Sequence, residues 1–193
     1  MQQQIKLSSR ERIISTANDL FYRQGYHQTG INQIIEESGV AKATFYSNFK
    51  SKEELCIEYL RERARMDTNA TKNMINGIQD PYERYMAIIK GILGYMVETD
   101  FRGCAFGNIA AEITESSNPI RKEVKHHEDG FRSILKDVIT DLKNSGPKYQ
   151  KIDVDQLVDS YNLIVEGAVV MGKIYNDTWP IERAVVAVEK LVE

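Results

Sequence analysis

Hydrophobic positions in the first quarter of the chain recur at helical spacing and are separated by glycines. The first apolar set is spaced as one face of a helix, and it comprises Ile13, Ile14, Ala17, Leu20 and Phe21. Ser8 and Glu11 stand three residues apart just before this set, which is the pattern of a capping box. We therefore predict a first helix from Ser9 to Gln24, which Gly25 ends.

Two shorter helices are predicted next, with a tight turn between them. The second helix begins near Ile31 and stops at Gly39. The third begins near Ala41 and buries Phe45 and Phe49, which are four residues apart and so lie on one face. Two short helices joined in this way predict a helix-turn-helix.

The rest of the chain also shows helical spacing, with prolines and capping signals at the helix starts. Two predicted helices begin near Ser51 and near Pro81. Three more cover Gly103 to about Thr114, Pro119 to Asn144, and 153–175. A last helix follows Pro180. No segment alternates as a strand would. We predict an all-α fold of about nine or ten helices.

The third helix carries a group of polar and small residues away from its Phe45 and Phe49 stripe. These residues are Lys42, Ala43, Thr44, Tyr46, Ser47 and Asn48. A recognition helix presents such side chains to base edges and phosphates in a major groove, and the small Ala43 permits close approach. Lys52 lies in the first turn of the next helix, where a cation and unpaired N–H groups suit a phosphate. The alternative is an ordinary polar helix surface.

The stretch that contains these residues resembles a known family. Residues 39–55 read GVAKATFYSNFKSKEEL, and they follow the segments ISTANDLFYRQGY and TGINQIIEES. Together, residues 9–55 are similar to the DNA-binding domain of the tetracycline-repressor (TetR) family of bacterial transcription regulators. The resemblance implies an N-terminal three-helix DNA-binding domain over 1–54 and an effector-binding and dimerisation domain over 55–193.

The resemblance also implies roles for individual residues. Phosphate contacts are implied for Thr44, Tyr46 and Lys52, and Lys42, Ala43, Ser47 and Asn48 are implied to lie nearest the bases. Gly30 departs from the family, because many members have Ser or Thr there to bind a phosphate. We expect Thr29 to take over that contact. The partner implied is double-stranded, near-palindromic operator DNA, and the implied activity is repression.

The 153–175 helix is apolar over a wide arc, so we expect it to be buried on more than one side. A second copy of the chain would cover it, and Gly167, Ala168 and Gly172 would let another helix approach closely. The family resemblance likewise implies a homodimer, whose two recognition helices would lie roughly 34 Å apart, about one turn of DNA. The alternative is a monomer in which this helix is the core.

Regulation requires a second site in the body, for an effector that shifts the population of DNA-binding conformations. Aromatic residues there could line an apolar pocket, and the candidates are Tyr95, Phe106, Tyr161 and Trp179. Aromatic residues at helical spacing are also typical of plain core packing, so both interpretations stay open.

Cys104 is a sharper candidate. It precedes a predicted helix, whose N-terminal dipole lowers the pKa of a thiol. The segment RGCAFGNIAAE is similar to the Gly-Cys-x-x-x-Asn-x-x-x-Glu segment of a TetR branch that responds to electrophiles or oxidants, and related members also carry Lys at the position of Lys173. We hypothesise that Cys104 is a sensor tuned by Lys173. The alternative is a small buried hydrophobic residue, which is also the interpretation we favour for Cys56.

Composition and charge limit the other possibilities. The 193 residues are 42% hydrophobic and 27% charged, as in an ordinary globular protein. Up to Lys52 there are seven Lys or Arg against four Asp or Glu, whereas the remainder has 18 against 24, so a basic head precedes an acidic body. The chain contains no membrane-length apolar stretch, signal-peptide core or disulfide framework, and we expect it in the cytoplasm.

Catalytic signatures are missing from the sequence. There is no Gly-rich phosphate loop, no His-Glu-x-x-His and no Cys pair at metal spacing, so we predict no enzyme, cofactor or metal. His126 and His127 are adjacent and point about 100° apart on a helix, which prevents chelation. Two alternatives to a repressor remain, namely an architectural DNA binder without effector response and a helical small-molecule-binding protein.

Overall fold

The computed structural model describes residues 7–193, and every regular element in this range is helical. The first six residues of the predicted DNA-binding domain lie outside the described residues. The nine α-helices within residues 7–193 confirm the all-α prediction. They are α1 Ser9–Gln24, α2 Ile31–Ser38, α3 Lys42–Asn48, α4 Lys52–Asn76, α5 Pro81–Glu98, α6 Ala105–Glu112, α7 Pro119–Asn144, α8 Val154–Tyr175 and α9 Trp179–Lys190. A short 3-10 turn, Pro147–Tyr149, lies between α7 and α8.

The helix starts follow the capping chemistry expected from the sequence. Ser8 accepts a hydrogen bond from the backbone N–H of Glu11, and the Glu11 carboxylate accepts one from the N–H of Ser8. These bonds lower the pKa of Glu11. Asp80 caps α5 in a similar way, by accepting from the N–H of Glu83 at 2.9 Å. The predicted boundaries of α1 and α7 are confirmed.

Helix α6 is shorter than predicted. It begins at Ala105 rather than at Gly103, because Gly103 has a φ of +84°, outside the right-handed helical region. Asp100 and Phe101 also have positive φ values, 51° and 54°, so the chain makes a tight irregular turn between α5 and α6. The N–H of Phe101 donates to the carbonyl of Met96 at 2.7 Å, which closes that turn.

The chain forms two compact units. The first comprises the chain up to Arg65 together with Ala105–Lys125, and the second comprises Met66–Cys104 and His126–Glu193. Helices α4 and α7 therefore contribute residues to both units. The boundary predicted at residue 54 stays a prediction, and the compact units add α6 to the N-terminal part.

Each unit has a buried apolar core. In the first unit the fully buried side chains include Phe21, Phe45, Phe49, Leu55 and Tyr59. In the second unit α5, α7, α8 and α9 enclose a cluster that includes Tyr85, Ile89, Leu135, Tyr161 and Val188. Burial of side chains of this size stabilises a fold by about 1.5–3 kcal/mol each before chain entropy is subtracted. No helix within residues 7–193 has the length and apolar character needed to span a bilayer.

Candidate DNA-binding surface and effector region

Helix α3 is anchored by its aromatic stripe and presents the predicted contact residues on its other side. Phe45 and Phe49 are 0% and 1% exposed, and their ring centres lie 6.2 Å apart. The predicted contact residues that are exposed are Lys42, Ala43, Tyr46 and Ser47, while Thr44 and Asn48 are half-buried. The Tyr46 ring is 45% exposed and lies edge-on to Phe45. The structure thus brings the six α3 candidates together on one short helix.

Several of these polar groups form hydrogen bonds within α3. The Ser47 hydroxyl and the Asn48 amide both donate to the carbonyl of Thr44, at 2.8 and 2.7 Å. These bonds are local, so exchanging them for bonds to a ligand requires only side-chain rotation. The surface can therefore meet a polar partner without rearranging its backbone.

The turn between α2 and α3 is held by Arg12, a residue that the sequence pattern does not single out. Gly39 has the left-handed conformation, with φ +62° and ψ 33°, that lets α2 end abruptly. The Arg12 guanidinium donates to the carbonyls of Ser38 and Gly39 at 3.2 and 3.4 Å. Arg12 thereby stabilises the last carbonyls of α2 and fixes the turn that sets the direction of α3.

Lys52 lies at the turn between α1 and α2. Its ammonium donates to the carbonyls of Tyr26 and Thr29 at 3.0 and 3.1 Å, and it lies 4.4 Å from the centre of the Tyr26 ring. Two of its three N–H donors are therefore used within the protein. A phosphate contact by the third stays a prediction.

Thr29 does not occupy the position expected of a phosphate ligand. Its side chain is completely buried, and its hydroxyl donates to the carbonyl of Gly25 at 2.7 Å. The hydroxyl completes a small turn at the end of α1, so it is not accessible to DNA in this conformation. Gly30, at the start of α2, has no side chain to replace it.

The proposed effector residues do not form one cluster. Tyr161 is buried in the second unit, and Tyr95 and Cys104 are half-buried against the same core. Phe106 is buried in the first unit, and Trp179 is 42% exposed with its ring 5.1 Å from that of Tyr175. The aromatic set predicted to line a pocket is therefore divided between different surroundings.

Tyr161 has the contacts of a core residue. Its hydroxyl donates to the carbonyl of Tyr85 at 3.0 Å, and the Tyr85 hydroxyl donates to the carbonyl of Val188 at 2.8 Å. The two rings meet edge to face with centres 5.2 Å apart. Burial raises the pKa of both phenols, so each stays a neutral donor. This chain of bonds ties α8, α5 and α9 together.

The structure does bring Lys173 next to the turn that carries Cys104. A Cβ placed on Gly103 would lie only 3.2 Å from the Lys173 Cδ, so the methylenes of that lysine cross the backbone one residue before the thiol. Lys173 is exposed and Cys104 is half-buried. Neither cysteine of the described chain forms a disulfide. Cys56 is completely buried, and burial raises the pKa of its thiol.

Helix α8 has two apolar sides with different surroundings. Its inner side contributes Tyr161, Val165 and Val169 to the core. Its outer side exposes a row of large apolar side chains, which we call the α8 apolar face: Leu163 at 72%, Val170 at 53%, Met171 at 37%, Ile174 at 67% and Tyr175 at 56%. Within one chain only the inner side of α8 is buried, so burial of its outer side by a second copy stays a prediction.

Two of the three small residues on α8 have a role other than the expected one. A Cβ at Gly172 would lie 3.2 Å from both Met96 and Ile181, so that glycine admits side chains of α5 and α9. Ala168 is 6% exposed and also belongs to the core. Gly167 alone of the three lies on the exposed side, where a Cβ would have no described atom within 4 Å.

A pair of acidic residues between α7 and α8 is a feature that the sequence pattern does not reveal. Burial, then the nearby Glu166 and Asp129, raise the pKa of Glu128 to about 7, and burial raises the pKa of Glu166. The side-chain oxygen of Asn162, one turn before Glu166, is buried and has no hydrogen-bond partner within residues 7–193. Further along these helices, Arg132 pairs with Asp159 and Lys136 with Asp155. The nearness of Glu128 to Glu166 depends on how α7 and α8 pack, so the sequence alone could not reveal it.

Known proteins share both parts of this architecture. Residues 13–59 match the family described as bacterial regulatory proteins, tetR family. Residues 81–188 match the family described as tetracyclin repressor-like, C-terminal domain. An uncharacterized HTH-type transcriptional regulator, YxaF of Bacillus subtilis, is 31% identical over 179 residues, which cover 90% of this chain and 89% of that protein.

Solved structures agree with the fold. SCO4454, a TetR-family transcriptional regulator from Streptomyces coelicolor, superposes with a TM-score of 0.85 at 24% identity, covering 95% of this chain and 88% of that one. The reduced form of E. coli NemR superposes with a TM-score of 0.83 at 21% identity, covering 96% and 98%. Matched over both its helix-turn-helix and its C-terminal helices, the chain belongs to the tetR family of bacterial DNA-binding transcriptional regulators.

Proposed function

We propose that the protein is a repressor that binds a near-palindromic operator as a homodimer and leaves it when an effector binds. The observation that carries this proposal is the exposed surface of α3, where Lys42, Tyr46 and Ser47 project from a helix anchored by two buried phenylalanines. That surface has the shape and polarity of a recognition helix. Such a regulator acts on the chromosome, and therefore in the cytoplasm of a bacterium.

The homodimer is supported by the α8 apolar face. Five large apolar side chains exposed in a row are unusual on a monomeric surface and are typical of a protein interface. We propose that α8 and α9 of two copies pack together there. The two recognition helices would then read successive major grooves of one operator.

The test is selection of DNA from a random duplex library by the full-length protein, followed by footprinting of the selected duplex. The repressor hypothesis expects one protected site with two symmetric halves. Protection without a preferred sequence would favour an architectural DNA binder instead, and no protection would favour a small-molecule-binding protein. Added to a promoter that contains the selected site, the protein is expected to lower transcription.

For the effector we propose an electrophile or oxidant that reacts at Cys104, with Lys173 stabilising the thiolate. The support is the approach of Lys173 to the backbone at Gly103, directly before Cys104, and the position of Cys104 at the start of α6. NemR of E. coli, a protein of the same fold, is described in a reduced form. The alternative is an apolar ligand held by the aromatic residues of the second unit.

Alkylation rates measured as a function of pH test the sensor. The expected result is that Cys104 reacts at a pH below the usual thiol pKa of about 8.5, and that Lys173→Met moves this titration upward. Cys56 is an internal control, because its complete burial should keep it slow in the same molecule. A slow Cys104 that Lys173→Met does not affect would favour the noncovalent ligand.

A further inference from the structure

Residues 25–30 form the turn that joins α1 to α2. A carboxylate accepts hydrogen bonds from backbone N–H groups of this turn, and an ammonium group donates hydrogen bonds to its carbonyls. The Glu112 carboxylate accepts hydrogen bonds from the backbone N–H groups of Tyr26 and His27, at 2.9 and 2.7 Å. The Lys52 ammonium donates to the carbonyls of Tyr26 and Thr29. Glu112 is the last residue of α6, about 85 residues along the chain from this turn.

The contact with Glu112 is close and specific. A Cβ on Gly25 would lie 2.8 Å from the Glu112 Oε1, so the carboxylate reaches this position because residue 25 has no side chain. Gly25 also has a φ of +96°, which other residues rarely adopt. In addition, a His27 ring nitrogen lies 3.1 Å from the backbone carbonyl of Glu112. The end of α6 is therefore joined to the turn by three hydrogen bonds.

Helix α6 is itself fixed in the first unit. Arg121, near the start of α7, donates to the carbonyl of Ala110 at 2.9 Å. On the other side of the contact, the turn leads directly into α2, and α2 leads through Gly39 into α3. The position of the turn therefore affects where the recognition surface lies.

We propose that Glu112 is a positioning residue for operator binding, which holds the α1–α2 turn and thereby keeps α2 and α3 in their DNA-binding arrangement. This inference rests on the proposed function and adds a residue outside the helix-turn-helix to its machinery. Without the carboxylate, the binding-competent arrangement would be only partly populated, and the apparent affinity would fall by that fraction.

The experiment compares full-length variants on the duplex selected by the unmodified protein. Glu112→Gln keeps the size of the side chain but replaces one acceptor oxygen with an NH2 group, so one of the two N–H bonds is lost. We expect its affinity for the selected duplex to fall about tenfold. The dependence of affinity on salt should stay unchanged, because no phosphate contact has been removed.

Glu115→Gln is the matched control. It removes the same charge three residues later, from an exposed side chain whose carboxylate accepts a hydrogen bond from the Ser117 hydroxyl. Loss of a negative charge favours DNA binding in general, so this variant should bind equally well or slightly more tightly. A fall in affinity at Glu112 alone therefore has the opposite sign to the charge effect.

Hydrogen exchange gives a readout at the contact itself. The amides of Tyr26 and His27 should exchange faster in Glu112→Gln, while those in the middle of α1 stay protected. If Glu112→Gln is unfolded at the assay temperature, Glu112→Asp replaces it, because this variant keeps the charge but shortens the reach by one methylene.

The outcomes separate this inference from the proposed function. A folded variant that binds the selected duplex as tightly as the unmodified protein overturns the positioning role. A reduced salt dependence also overturns it, because the bound complex itself would then have lost phosphate contacts, whereas a smaller binding-competent population leaves the salt dependence unchanged. Reduced affinity with unchanged salt dependence supports it. If the unmodified protein selects no duplex at all, the proposed function itself has failed.

Discussion

Helices α3 and α8 both leave side chains exposed, but in chemically different ways. On α3 the exposed side chains are polar apart from Ala43, and Ser47 and the half-buried Asn48 form local hydrogen bonds to Thr44. On α8 the exposed groups are apolar, with Leu163 and Ile174 about two-thirds or more exposed. A polar surface with local bonds is stable in water and can bind and release a partner. An apolar row is unfavourable in water, so it needs a lasting cover.

The strongest test of this comparison is to place charge on the α8 apolar face. The double variant Leu163→Glu with Ile174→Glu should sediment as a monomer, because two carboxylates cannot be buried in an apolar interface. Its operator affinity should fall by at least about 100-fold, since each DNA-binding domain then binds one half-site alone. Gln156→Glu adds a charge to an exposed polar position of the same helix and should stay dimeric. If the double variant also stays dimeric, the interface lies elsewhere.

A substitution on α3 should affect DNA binding without affecting association. Tyr46→Ala should lower operator affinity by about 10- to 100-fold, equivalent to about 1–3 kcal/mol. Because the ring is 45% exposed, the free energy of unfolding should change little. Tyr46→Phe keeps the ring and removes the hydroxyl, so titrations of both variants separate stacking from a phosphate contact. Full affinity in Tyr46→Ala would refute the recognition role of α3.

Between its core side and its exposed face, α8 carries Glu166, whose charge acts on Glu128 of α7. The pKa of Glu128 is raised to about 7, so folding favours its protonated form. The stability that the protein gains from holding Glu128 protonated is fully present below the unfolded pKa of about 4.5. It is lost as the pH rises through the folded pKa of about 7. Because solvent screens a half-buried carboxylate, Glu128→Gln should stabilise the protein by only roughly 0.5–2 kcal/mol at pH 8.5 and have little effect at pH 4.5.

Denaturant titrations at the two pH values measure this difference. Asp137→Asn, which changes an exposed carboxylate on the same helix, is the matched control variant. A Glu128→Gln variant with the same gain in stability at both pH values would show that the effect comes from packing rather than from titration.

The smallest expected effect concerns the core side of α8. Tyr161→Phe removes the hydrogen bond to the Tyr85 carbonyl and should lower the free energy of unfolding by about 1–2 kcal/mol. Operator affinity and effector response should be unchanged if Tyr161 is a core residue. Tyr85→Phe removes the hydrogen bond to the Val188 carbonyl and should lower the free energy of unfolding by a similar amount, also without changing operator affinity or effector response. Loss of effector response in Tyr161→Phe alone would instead place that residue in a ligand pocket.

The helices could be predicted from the sequence because their signals are local. The Ser8 capping box, the proline of α7 and the aromatic spacing of α3 act within one or two turns of the chain. What could not be predicted depends on distant partners. Lys52 reads as an exposed cation at a helix start, yet its donors bind carbonyls more than 20 residues earlier in the chain.

The same limit applies to buried positions. Thr29 and Gly30 are equally plausible at the start of a helix by sequence alone, and only the fold shows that Thr29 is turned inward. The sequence predicts that Gly172 lets a partner helix approach closely, whereas the space beside it is filled by Met96 and Ile181 of the same chain. The predicted contacts of Lys42, Ala43, Thr44, Tyr46, Ser47, Asn48 and Lys52 with DNA remain predictions.

The first compact unit is assembled from two separate pieces of chain, and this affects how its DNA-binding half could be transplanted. A graft cut at residue 54, after the helix-turn-helix, would leave behind α6 and the start of α7, including Glu112 and Arg121. A hybrid regulator that keeps its operator preference would need joints inside α4, near Arg65, and inside α7, near Lys125, with a third joint at Cys104. Exchange of operator specificity between relatives therefore requires three joints in the chain, even though the segment that matches the tetR family, residues 13–59, is continuous.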